Sequence, residues 1–145
     1  MHAVHLCTHS HYSFHYGLDA PEALAEAAAA RGIEALALTD VNGLYGAVDF
    51  YRAALAAGIK PILGTRLRAG RGDAGCVVLA KDFAGYQALC RLVSAYRLGD
   101  DWRAVAREAA ARLVFLAGSR DWVESLDESV LRAAGALYVR RVPAD

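Results

Sequence analysis

The sequence predicts an α/β fold whose strands are mostly parallel. Short apolar runs typical of strands alternate with longer runs of helical periodicity along the 145 residues. The chain opens in the order strand, helix, strand, helix, strand, an order that favours parallel strands joined by right-handed crossovers. We therefore expect a single domain, residues 1–145, built either as an open α/β sheet or as part of a barrel.

The first half of the chain supplies three predicted strands, at residues 3–8, 33–40 and 60–68. A helix is predicted over 21–32, with Pro21 in its first turn, Asp19 available as the N-cap and Gly32 as the stop.

A second helix is predicted over 43–58. It is expected to be amphipathic, because four large apolar residues recur at helical spacing and fall on one face. These residues are Leu44, Val48, Tyr51 and Leu55.

The second half continues the alternation with less regular spacing. Strands are predicted at 76–80, 113–118 and 136–142, and helices at 83–98, 101–111 and 128–134.

Composition excludes several classes of protein. Lys+Arg and Asp+Glu both number 16, and a domain that binds nucleic acid strongly by itself would show a basic excess. No apolar run approaches the ~20 residues of a membrane span. The cysteines, Cys7, Cys76 and Cys90, form no CxxC pair, so a disulfide framework is not expected. A protein of the reducing cytoplasm, without membrane attachment, is the expectation.

Histidine is concentrated at the N-terminus, where "HLCTHSHYSFHYG" holds four of the five histidines. Polar residues also mark the ends of the first three predicted strands: Cys7 and His9, then Asp40, then Arg66. The carboxyl ends of parallel strands meet at one edge of a sheet or barrel. The pattern therefore predicts a site at this edge.

Three segments resemble the N-terminal PHP (polymerase and histidinol phosphatase) domain of bacterial DNA polymerase III alpha subunits. They are "HLCTHSHYS", "ALALTDVNGLYGAVDFYRAALAAGIKPILGTRL" and "VVLAKDFAGYQALCRLVS", and the "NGLYG" stretch is similar to the error-prone type. The resemblance runs from residue 5 to about residue 98. It implies a distorted βα barrel, of which this chain would be the N-terminal part. It also implies a parent protein that synthesises DNA with residues of other domains.

Active members of this family bind up to three metal ions for phosphoester hydrolysis. Their motifs resemble His-x-His-Ser, Thr-Asp-His and Gly-x-Glu. At the corresponding ligand positions this chain has Cys7, Val41 and Arg66. Arg66 would place a cation where a metal ion should lie, and its guanidinium has no lone pair to donate. At an effective dielectric constant of ~20, two unit charges ~4 Å apart repel by ~4 kcal/mol, and a divalent ion doubles this.

The resemblance therefore implies a degenerate site with no catalytic residue and no bound cofactor. The later family motifs also use histidines, and no histidine follows His15. Under this interpretation His9 and Asp40 form a buried polar pair, bonded to each other or to Arg66.

Two alternatives remain open at this point. Cys7, His9 and Asp40 could hold a single zinc or manganese ion, which would make the chain a small metal-dependent phosphoesterase. Arg66, Arg68 and Arg71 could form a phosphate-binding loop. The remaining histidines, His2, His5, His11 and His15, match no ligand position of the family.

The expected role is structural and partner-binding. The resemblance implies packing against the polymerase palm and thumb domains or contact with a proofreading exonuclease subunit. A homodimer is a further expectation, because the open edge of a half-barrel needs to be covered.

Overall fold

A computed structural model describes residues 3–70, 72–134 and 137–139. The chain divides into two compact units, Met1–Arg66 and Leu67–Asp145, called here the first and the second unit. Within the described residues, no helix is long and apolar enough to cross a membrane.

The first unit is built from three strands and two helices in strict alternation. In chain order these are β1 (Ala3–Thr8), α1 (Pro21–Ala30), β2 (Ile33–Val41), α2 (Ala47–Ala56) and β3 (Lys60–Leu67). β2 pairs in parallel with both β1 and β3. The predicted alternation and the parallel pairing are confirmed.

The core of the first unit lies where α1 packs on α2 and on β2. The core combines small residues of both helices with the fully buried Phe50 of α2. The buried members of this core are Ala25, Ala28, Leu36, Leu38, Phe50, Ala54 and Ile59.

The prediction for the buried face of α2 was wrong. The helix buries Ala47, Phe50 and Ala54, whereas Tyr51 and Leu55 are 45% and 55% exposed. Val48, also predicted on the apolar face, is exposed as well. The reason is steric, since alanine permits the close contact with α1 that the larger side chains would prevent.

Helix α1 starts at Pro21 as predicted, but its cap differs from the prediction. Its N-cap residue is Ala20, with no side-chain cap, and Pro21 begins the helix. The backbone carbonyl of Asp19 accepts a hydrogen bond of 2.9 Å from the backbone N–H of His11.

The second unit contains three strands and four α-helices among its described residues. They are β4 (Cys76–Ala80), α3 (Phe83–Leu98), α4 (Trp102–Glu108), β5 (Leu113–Ala117), α5 (Arg120–Ser125), α6 (Glu128–Ala133) and β6 (Leu137–Val139). β5 pairs antiparallel with β4 and parallel with β6. Three of the four strand pairs described in the two units are thus parallel, as predicted.

One helix of the second unit was not predicted. α5 begins after Ser119, whose side chain caps it by accepting the backbone N–H of Trp122 at 3.4 Å. The predicted last strand is observed at Leu137–Val139, and its remaining positions, 136 and 140–142, lie outside the described residues.

Candidate functional site

The candidate site is centred on Asp40, the last residue but one of β2, which is only 2% exposed. Its carboxylate accepts three short hydrogen bonds. Ser10 donates its backbone N–H at 2.7 Å and its hydroxyl at 2.7 Å, and Ser13 donates its hydroxyl at 2.6 Å. A buried carboxylate needs such donors, because burying an unpaired charge costs several kcal/mol. Two serines thus supply hydrogen bonds to both carboxylate oxygens of Asp40.

Ser13 is the residue of this site that the sequence analysis missed. It is 2% exposed, and its hydroxyl oxygen also accepts the backbone N–H of Val41 at 2.9 Å. One side chain therefore serves both the carboxylate of β2 and the backbone of the residue after it. In the sequence, only its position three residues after Ser10 could point to Ser13, and such a spacing is common in ordinary polar loops.

Two buried threonines extend this polar layer across the sheet. The hydroxyl of Thr39 accepts the backbone N–H of Thr8 and donates to the carbonyl of Thr8, both at 3.1 Å. The hydroxyl of Thr65 donates to the backbone carbonyl of Asp40 at 2.9 Å. The carboxyl ends of β1, β2 and β3 are thus tied together by side-chain hydrogen bonds that hold Asp40 in place.

The two serines belong to a loop, residues 10–17, that folds back on itself. The backbone N–H of Gly17 donates to the carbonyl of Ser13 at 3.1 Å. A Cβ atom at Gly17 would lie 2.2 Å from the carbonyl oxygen of Ser10, so a side chain cannot be accommodated there. The close approach at Gly17 closes the 10–17 loop over Asp40.

The four site residues predicted from the sequence differ in their exposure and in the elements on which they lie. Cys7 is exposed on β1. His9 is half-buried, and its Nε2 atom is buried. Arg66, also half-buried, lies on β3. Asp40 is brought together with Ser10 and Ser13, as described above.

Strand register separates Asp40 from Arg66. The register partner of Asp40 is Thr65, and that of Arg66 is Val41. Register partners project to the same face of a sheet, and successive residues project to opposite faces. Arg66 therefore shares a face with Val41, and the opposite face carries Asp40. The predicted hydrogen bonding between Asp40 and Arg66 stays a prediction.

These residues do not fit a metal ion. Three donors occupy three of the roughly four lone-pair positions of the Asp40 carboxylate, and the side chains of Val41 and Arg66 have no lone pair to offer. Across residues 3–70, 72–134 and 137–139, no three His, Cys, Asp or Glu side chains form a group that could hold a metal ion.

The remaining candidates contribute no further ligand set in the described residues. His5, His11 and His15 are exposed, and Arg68 is half-buried. His2 and Arg71 lie outside the described residues, so the phosphate-binding loop stays a prediction.

Comparison with known proteins identifies the family. The model of the PHP domain matches residues 5–138. The chain belongs to the PHP domain family. Val41 and Arg66, the positions at which the sequence resemblance implies metal ligands in active members, are direct register partners on neighbouring strands.

Sequence relatives of this PHP domain are bacterial DNA polymerases. It is 38% identical over 138 residues to DNA polymerase III subunit alpha of Escherichia coli K12, covering 91% of this chain and 11% of that protein. It is 45% identical over 101 residues to the error-prone DNA polymerase of Symbiobacterium thermophilum, covering 70% of this chain and 9% of that protein. The chain spans about a tenth of the length of these relatives.

Among solved structures, the PHP domain is similar to an amidohydrolase from Chromobacterium violaceum with bound sulfate and no metal. The TM-score is 0.46 at 26% identity, over 74% of this chain and 37% of that one.

Proposed function

We propose that this chain is a catalytically degenerate PHP module of a DNA polymerase III alpha-type protein, with a structural and partner-binding role. The parent activity, DNA replication or translesion synthesis, is carried over from the names of the relatives. Hydrolysis of phosphoesters is not part of the proposed role.

The observation that carries this proposal is the bonding of the Asp40 carboxylate. A metal ligand must present a lone pair to the ion, and the three donors from Ser10 and Ser13 compete for those lone pairs. Recruiting Asp40 to a metal would leave buried hydroxyl groups without acceptors, at a cost of about 1–3 kcal/mol for each group.

The side chains of Val41 and Arg66, on the sheet face opposite Asp40, support the same conclusion. Val41 offers no ligand atom, and the guanidinium of Arg66 keeps its positive charge at every relevant pH. A divalent cation on this face would meet electrostatic repulsion in place of coordination.

The proposed partners are other parts of a polymerase, namely the palm and thumb domains or a proofreading exonuclease subunit. Such a role needs surface complementarity and no bound cofactor. A cytoplasmic location follows from the same proposal. Size-exclusion chromatography of the chain with a polymerase fragment that lacks its own PHP domain tests the interaction.

The decisive test is the metal content of the untagged chain after dialysis against zinc and manganese, followed by metal-free buffer. We expect no stoichiometric metal in the wild type, and no change on Cys7→Ser or His9→Ala. One tightly held equivalent that is lost on His9→Ala, together with hydrolysis of a generic phosphoester, would replace this proposal with the small phosphoesterase.

A further inference from the structure

We draw no further inference here: the strongest candidate, the exposed aromatic patch of the first unit in which the ring of Tyr12 on the 10–17 loop lies 4.4 Å from that of His11 and 6.1 Å from that of Tyr45 between centroids, carries no proposal because nothing in the described part of the chain shows what covers it.

Discussion

The hydroxyl of Ser13 donates a hydrogen bond of 2.6 Å to Oδ1 of Asp40, although 27 residues separate the two. The same oxygen accepts the backbone N–H of Val41 at 2.9 Å. The pair joins the loop after β1 to the end of β2, and it gives a buried carboxylate oxygen one of its hydrogen-bond donors.

Replacing Ser13 with alanine should destabilise the first unit. The change removes one donor from a buried carboxylate and one acceptor from a partly buried N–H, so we expect a loss of about 1–3 kcal/mol. Both tryptophans, Trp102 and Trp122, lie in the second unit, so amide exchange of β2 is the suitable measurement. Ser94→Ala, which removes an exposed hydroxyl, is the control. Unchanged exchange in β2 would refute this assignment.

Introducing ligand atoms on the face of Val41 should create affinity for a metal ion. In the double variant Val41→His and Arg66→Glu, a histidine and a glutamate become register partners and the cation is removed. We expect zinc to bind at least about tenfold tighter than to the wild type, a gain of about 1.4 kcal/mol, measured by isothermal titration calorimetry. Val41→His alone keeps the cation and should bind no better. Equal affinity of the double variant and the wild type would show that Arg66 is not the obstacle.

The three thiols should divide into two reactive groups and one inert group. Cys7 and Cys90 are exposed, whereas Cys76 is buried. Burial raises the pKa of the Cys76 thiol to about 12, which leaves almost no thiolate at neutral pH. Titration of the native chain with Ellman's reagent should show two fast equivalents, and a third only after denaturation. Three fast equivalents would indicate that the second unit opens readily.

The stability of the second unit should fall in acid because of Asp73. Burial raises the pKa of this carboxyl, but hydrogen bonds from the backbone N–H groups of Ala69 and Gly75 and from the Trp122 indole outweigh it, so the pKa is lowered below 3.8. A lowered pKa in the folded state contributes stability that is fully present above the unfolded-state pKa. That stability is lost as the pH falls through the folded-state value.

The indole nitrogen of Trp122 lies 2.7 Å from Oδ1 of Asp73, so tryptophan fluorescence reports this region. Denaturant titrations at neutral and acid pH should show Asp73→Asn less stable than the wild type by about 1–2 kcal/mol at neutral pH. The difference should shrink in acid. If the two proteins differed in stability by the same amount across the pH range, Asp73 would not be the cause of the loss of stability in acid.

Substitutions on the two faces of α2 should differ in how much they lower the stability of the fold. Phe50 is fully buried, so Phe50→Ala should cost about 3–5 kcal/mol. Leu55 is 55% exposed, and Leu55→Ala should change stability by less than about 1 kcal/mol. Thermal unfolding followed by circular dichroism compares the two. Similar losses would support the apolar face predicted from the sequence.

Most elements of the fold could be predicted from local patterning. Strand β1 and helix α3 have the predicted bounds, because alternating or helical apolar spacing is interrupted by clear punctuation, such as Gly99, which adopts a positive φ of 79° after α3. Helix α5 was missed, and its cap at Ser119 is its main signal in the sequence.

The face of α2 and the partner of Asp40 could not be predicted, for a shared reason. Both depend on distances between segments that are far apart in the sequence. Alanines that line a close helix contact look less hydrophobic than Tyr51 or Leu55, although they are the buried ones. Ser13 acquires its role only when the 10–17 loop folds over β2.

The closure of the 10–17 loop separates its anchors from its tip. The hydrogen bonds that hold it run through Ser10, Ser13 and the backbone of Gly17. Phe14 at the tip is 80% exposed. The side chain of Phe14 can therefore be exchanged without disturbing the buried network, so the loop presents a replaceable side chain on a fixed base. Replacing Phe14 with a residue of different chemistry would alter the surface that the loop displays while Asp40 keeps its bonds.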